Sequence, residues 1–324
     1  MYILGFDIGG TKCAAVTAEW DGERVTLLKK ASCPTDHTRP PLATVDELFS
    51  IADGILDHKP DAIGISCGGP LDSARGVIMS PPNLPEWDNI EITALAEKHF
   101  GVKARLQNDA NAGALAEWKF GAGRGCENMI FMTFGTGLGG GLILNGRLYE
   151  GTNGNAGEVG HLRLAEAGPV GYGKRGSFEG FCSGSGIAQL GYTLALEAVQ
   201  SGKCPSYFKE GASPTEISAK KIAEAARDGD ETAIEVFRLS GEYLGRGISI
   251  LIDLLNPQAI VVGSIFARCG DLLTEEMEKA IARDSLPFAA KVCRVIPAAL
   301  GESIGDYAAI AVAVQAVQAA QNER

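Results

Sequence analysis

The chain has 324 residues, 45% of them hydrophobic and 21% charged, long enough for two domains that each bury a core. Its net charge of −11 argues against nucleic acid, which is held by dense Lys/Arg neutralisation of phosphates, but leaves room for a nucleotide gripped by local amides and dipoles. No apolar run approaches the ~20 residues that span a bilayer, the first residues show no secretory leader, and eight scattered cysteines form no CxxC pair. A cytoplasmic protein with reduced thiols is therefore expected, without membrane or nucleic-acid partners.

Residues 2–6 form an apolar run that ends at Asp7, followed by Gly9-Gly10-Thr11-Lys12 and a second apolar run at 13–18. Asp21-Gly22 is a hairpin signal, and Val25 to Leu28 reads as a third strand. Apolar positions within 46–57 share one helical face. A strand from Ala62 to Ser66 runs into Gly68-Gly69-Pro70, and another from Lys103 to Gln107 runs into Asn108-Asp109 and a helix at 110–120. Strands alternating with helices make this an α/β chain. A second unit opens near 126 with a strand at 129–134, a glycine turn at 135–141, a strand at 142–144 and an Asn145-Gly146 turn. It repeats the pattern of the opening and points to an internal duplication. Beyond it the sequence predicts a loop-like 170–190, helices at about 184–200, 219–228 and 231–255, a buried strand at 259–262 ending in Gly263-Ser264, and an Ala-rich helix over 304–320. The 42 glycines gather in 135–141, 151–160 and 168–186, where they imply positive φ or a close approach of backbone to a ligand.

Gly135 to Gly140 fits GxGxxG, but a strand follows where a dinucleotide fingerprint needs a helix, and no Walker A sequence exists. A Rossmann dehydrogenase and a P-loop enzyme are both disfavoured. Two strand–turn–strand loops remain, at 7–12 and 133–139, and their amides with the hydroxyls of Thr11, Thr133 and Thr136 suit triphosphate oxygens held from two sides. Asp109 stands at a strand-to-helix junction, where Asp serves as an N-cap and where α/β folds also place ligands. The sequence leaves both roles open. Glu158, His161 and Glu179 lie in glycine-rich loops and offer hydrogen bonds to vicinal hydroxyls.

Taken together these residues resemble the ROK family of bacterial sugar kinases and repressors, with its actin-like, hexokinase-like fold. The resemblance rests on Asp7 to Lys12, Ile65 to Asp72, Pro82 to Trp87, Asn108 to Asn111, Gly135 to Gly140, Gly157 to His161 and Phe178-Glu179, in that order. It implies two α/β domains flanking a cleft, 1–120 completed by a C-terminal helix at 304–324, and 121–303. It implies ATP on Asp7, Gly9, Gly10, Thr11, Lys12, Thr133, Gly135, Thr136 and Gly137, with Gly263 and Ser264 at the adenosine and Asp7 near magnesium. The sugar falls to Gly69, Asn83, Asn108, Glu158, His161 and Glu179, with Asp109 as the base on its hydroxyl. A homodimer is the usual form among similar proteins. The family's zinc motif, three cysteines beside the motif histidine, here holds Val170, Tyr172 and Ser177, so no structural zinc is expected. Packing of Val170 and Tyr172 is expected to fix that loop instead, keeping His161 aimed at the sugar. Ser264 stands where the family usually has a second glycine.

The expected reaction is transfer of the ATP γ-phosphoryl group to a hexose hydroxyl, at C6 of glucose or a related hexose, with N-acetylhexosamine or fructose as alternatives. Segments 28–45 and 200–215 are candidates for setting that choice. A sugar-sensing repressor of this family carries a helix-turn-helix before the first phosphate loop. With that loop at residue 7 and an acidic chain, a repressor is not expected, nor is a non-catalytic sugar binder, given Asp7, Thr11, Thr136 and Asp109.

Overall fold

The computed structural model describes residues 1–209 and 211–322, with side chains of the last helix described to residue 318. The opening apolar run is strand β1 (Tyr2–Ile8), which turns back through 9–11 into β2 (Lys12–Trp20), with Asp7 opposite Ala14. Strand β3 (Val25–Pro34) runs six residues past its predicted end, so much of the segment 28–45 is strand and helix rather than loop. Helix α1 (Pro41–Asp53) begins before residue 46 because Pro41 at its first position has its φ already set for a helix. It stops at Gly54, short of the predicted 57. Strand β4 (Ala62–Cys67) lies parallel to β1, and after the ribbon β5 (Leu71–Asp72) and β6 (Val77–Ile78) and helix α2 (Ile92–Phe100), strand β7 (Ala104–Asn108) lies parallel to β4. The sheet order is β3-β2-β1-β4-β7, and helix α3 (Asp109–Phe120) leaves from its last strand.

The second half repeats this winding. Strands β8 (Met129–Met132), β9 (Gly140–Leu144) and β10 (Arg147–Leu148) form an antiparallel meander. A small ribbon of β11 (Val170–Gly171) and β12 (Lys174–Arg175) and the single turn α4 (Phe178–Phe181) interrupt the segment read as loop. Helices α5 (Gly184–Gln200), α6 (Ala219–Arg227) and α7 (Glu231–Leu255) follow, capped by Ser183, Ser218 and Asp230. Strand β13 (Ala259–Val262), helices α8 (Ile265–Asp284) and α9 (Pro287–Ala290), strand β14 (Arg294–Pro297) and helix α10 (Ile304–Asn322) complete the chain. The order β10-β9-β8-β13-β14 reproduces the first sheet strand for strand. The short echo in sequence is thus a duplication of the whole sheet. The expected helix end at 324 lies outside the described residues, as does residue 210 within the segment 200–215.

Helices α3 and α10 pack against each other and form a shared layer between the sheets. Helix α10 is buried around most of its circumference from Ala308 to Val314, as its composition demands. It reaches the first sheet because Gly5 and Gly64 present no side chain there. A Cβ on Gly5 would stand 2.9 Å from the Ala309 methyl, and one on Gly64 would run into the Ala309 carbonyl. Helix α3 lies on the second sheet in the same way, since a Cβ on Gly141 would come within 2.5 Å of the Ala110 carbonyl. No glycine in 135–141 has positive φ, so in that segment close approach, not turn geometry, accounts for the glycines. Among the described residues no helix is long and apolar enough to cross a membrane.

Candidate active site

The two glycine turns and the start of α3 meet at the C-terminal ends of the parallel strands. Asp7 is the penultimate residue of β1, and the turn after it is held from behind by residues that the sequence reading missed. The Thr35 hydroxyl donates to the Gly9 carbonyl at 2.6 Å, the Thr35 N–H to the Thr11 carbonyl at 3.0 Å, and the His37 ring lies 2.7 Å from the Gly10 carbonyl. These partners are more than twenty residues away in sequence, and only the β2–β3 pairing brings them near. Thr11 and Lys12 stay exposed at the tip. Gly10 abuts Asn83, whose side-chain amide lies 3.3 Å from where a Cβ on Gly68 would stand, so Asn83 is seated between the first turn and the segment carrying Gly69.

In the second turn Thr133 is occupied internally. Its hydroxyl accepts the Gly139 N–H at 2.8 Å and its own N–H donates to the Gly139 carbonyl at 3.0 Å. Thr136 is left as the exposed hydroxyl at the tip. Gly135 accepts from the Gly184 N–H at 2.7 Å, tying the turn to the start of α5. Glu179 reaches the same turn and accepts the Leu138 N–H at 2.9 Å through one carboxylate oxygen. Its other oxygen accepts no hydrogen bond from the described residues.

The N-cap of α3 is Asn108, whose side-chain oxygen accepts the Asn111 N–H at 2.7 Å. Asp109 is therefore released from the capping role that the sequence left open. Among the described residues it accepts the Ala110 N–H, at 2.8 Å. Asp109 is exposed at the mouth of the site, but the protein packed around it pushes its carboxyl above the usual range. Glu158 is likewise raised, first by burial and then by the fields of Asp109 and Glu179, against the pull of His161. Asp109, His161 and Glu179 therefore all lie near enough to Glu158 to influence its charge.

Asp7 is also raised. Its pKa is pushed up to about 6 by burial, then by Asp306 and Asp109, with Lys30 and Lys12 opposing. Asp306, from the first turn of α10, is buried and paired with Lys30 at 2.7 Å. Neither Asp306 nor Lys30 was singled out from sequence, because their nearness to Asp7 depends on α10 crossing back to the first sheet.

The loop with the altered zinc motif is not fixed as expected. Val170 and Tyr172 are 40% and 73% exposed, so their packing does not hold it. The Val170 N–H and carbonyl are instead clamped by the Gln189 side chain at 3.1 and 2.9 Å, Lys174 donates to the His161 carbonyl at 2.7 Å, and Ser177 caps α4 through the Gly180 N–H at 3.1 Å. Tyr172 meets His161 only edge-on, with ring centroids 6.5 Å apart.

The pattern of the ROK family matches residues 3–316. The chain belongs to the ROK family. Among ROK relatives, the glucokinase of Streptomyces coelicolor is 33% identical over 86% of this chain and 87% of its own. A ROK family glucokinase from Streptomyces griseus, solved with glucose and AMPPNP, is 31% identical with a TM-score of 0.76, covering 97% of this chain and all (100%) of that one. A ROK family transcriptional regulator, a homologue of the Escherichia coli MLC protein, has a TM-score of 0.81 at 26% identity, over 97% of this chain and 78% of that one. The ROK fold, two α/β units of actin-like type, is the one this chain adopts.

One ROK position here is strained. Ser264, at the start of α8, has φ 54° and ψ −104°, and its side chain caps nothing, accepting only from Arg268 at 3.2 Å. A side chain at such a backbone conformation costs ~1–3 kcal/mol. Ser264→Gly is expected to raise the melting temperature by about 2–4 °C. An unchanged or lower midpoint in calorimetry would show that the serine is not strained.

Proposed function

We propose that this chain is an ATP-dependent hexose kinase in which Asp109 is the general base. The observation that carries the reading is the division of labour at α3: Asn108 takes the cap, and Asp109 is left as a carboxylate with raised proton affinity at the mouth of the site. Similarity to a glucokinase solved with glucose and AMPPNP supports the reading of the chain as a sugar kinase. In this reading ATP phosphates lie between the 7–12 and 133–139 turns, on Gly9, Gly10, Thr11, Lys12, Gly135, Thr136 and Gly137, with Thr133 bracing the second turn. Gly263 and Ser264 face the adenosine. Asn83, Asn108, Glu158, His161 and the other oxygen of Glu179 orient the sugar, with Gly69 beside Asn83.

The transition state of phosphoryl transfer is loose, so catalysis is mostly positioning and charge stabilisation. Asp109 orients the attacking hydroxyl and accepts its proton as the O–P bond forms and ADP leaves. The cluster of Asp7, Asp306 and Asp109, with Lys30 as its close cation, has the charge to favour a divalent ion. Asp7, together with the nucleotide's own oxygens, would hold a magnesium ion there. Magnesium there would neutralise charge on the phosphates. The units taken to close on the substrates are 1–120 with α10, and 121–303.

ADP release with ATP and magnesium across hexoses and N-acetylhexosamines tests the reading. Release that needs one sugar and stops in Asp109→Asn is expected. Sugar binding by calorimetry with no ADP release from any sugar would replace the kinase reading with a sugar sensor of the kind found among ROK regulators.

A further inference from the structure

Glu150 lies outside every motif discussed so far. It follows β10 and precedes the glycine-rich loop that leads to Glu158. Its Oε1 accepts two hydrogen bonds from the other half of the molecule: from the Ser73 hydroxyl at 3.0 Å and from Gln107 Nε2 at 2.9 Å. Its backbone carbonyl accepts the Ala156 N–H at 3.1 Å, closing the base of the loop 151–155. Gln107, only 6% exposed, is the residue before the cap of α3. Its Oε1 accepts the Asn108 N–H at 2.9 Å and Asn111 Nδ2 at 3.2 Å. The orientation of this amide is not free to flip. A backbone N–H on one side and a carboxylate on the other allow only one assignment of oxygen and nitrogen.

We infer, on the basis of the kinase reading above, that Glu150 is a positioning residue for Asp109, acting through Gln107 across the cleft. Glu150 holds the Gln107 amide, and that amide holds both the backbone N–H of Asn108 and the side chain of Asn111, which flank Asp109. Asn108 in turn caps Asn111. Without an acceptor at 150, Gln107 Nε2 is a buried donor with no partner, which costs more than a mean hydrogen bond and drives the amide to turn. The first turn of α3 then loses two of its anchors, and the base moves with it. Asn111 is fully buried and its Oδ1 already lacks a partner, so this turn has no spare bond to fall back on. The same residue anchors the loop entering Glu158, so one carboxylate sets the base and the sugar loop relative to each other.

The test exchanges donor and acceptor. In Gln107→Glu two carboxylates face each other, and kcat is expected to fall by about 10–100-fold while the hexose KM stays within about threefold. Adding Glu150→Gln restores an amide opposite a carboxylate. The carboxylate introduced by the first change can still accept from Asn108 and Asn111, and the double variant is expected to recover to within about fivefold of wild type. Loss and recovery of kcat at equal melting temperature separates positioning of the base from a loss of fold. Should Gln107→Glu fail to fold, Glu150→Ala at a half-buried site reads the same contact, with the melting midpoint lowered by a few degrees and kcat falling by about 10–100-fold when assayed well below that midpoint. Wild-type kcat in Gln107→Glu, or a double variant no better than the single at equal melting temperature, overturns the inference while the kinase reading stands. No phosphotransfer by the wild-type chain overturns the kinase reading and the inference with it.

Discussion

Asp109→Asn is expected to bind hexose within about threefold of wild type and to lose about 10²–10⁴ in turnover. The amide keeps the shape of the side chain and an oxygen for the Ala110 N–H, the one hydrogen bond the carboxylate makes among the described residues. The cap of α3 stays on Asn108, so the helix is not destabilised. Hexose contacts assigned to Glu158, His161, Glu179 and Asn83 are untouched. Only the proton acceptor is removed. Calorimetry of sugar binding beside steady-state ADP release separates the two effects, and a variant that retains a tenth of wild-type turnover means the base is elsewhere. Had Asp109 been only the cap, asparagine would have taken its place at little cost and turnover would have been spared.

That distinction shows where the sequence stops. An Asn108-Asp109 pair at the end of a strand is legible as a junction, but which of the two turns back to cap is decided by the backbone angles of β7 as it enters α3. Local signals elsewhere were sufficient. Ser218 gave α6 its start, the apolar positions of 231–255 gave α7, and the apolar runs on either side of Asp7 gave β1 and β2. The long helix α8 went unread although Ile265, Cys269, Leu273 and Met277 recur at helical spacing, because its many charged residues mask the stripe. Thr35, His37, Lys30 and Asp306 were out of reach for another reason. Each gains its role from a partner distant in the chain, through β3 folding over the first turn or α10 returning to the first sheet. The replaced zinc motif shows the limit in reverse. Losing three cysteines is plain in sequence, but the Gln189 clamp that holds the loop is polar, local to no motif, and made with backbone.

Asp7→Asn is expected to stabilise the protein without nucleotide while abolishing its activity. The folded-state pKa of Asp7 is about 6 against an ordinary value of 3.8. The folded chain therefore binds this proton more tightly than the unfolded chain does. The stabilisation is fully present below the ordinary value and is lost as pH rises through about 6. Asp109 and Glu158, both raised, act in the same direction. The carboxylates held low by hydrogen bonds, such as Asp230 and Glu235, lose their contribution only at more acid pH. Melting temperature without nucleotide is thus expected to fall between about pH 5 and pH 7.5 in the wild type, with a shallower slope in Asp7→Asn. At about pH 7.5 the variant, which cannot ionise, is expected to be more stable by about 1–3 kcal/mol. Equal slopes in the two proteins would mean that Asp7 is not strained. The repulsion among Asp7, Asp306 and Asp109 is a standing cost in the empty cleft, and a cation arriving with ATP is what would relieve it. Saturating ATP with magnesium should then erase the stability advantage of the variant, because only the aspartate gains from the ion. A site that is least stable when empty, and is made so by the groups its chemistry needs, favours the substrate-bound state over the free one.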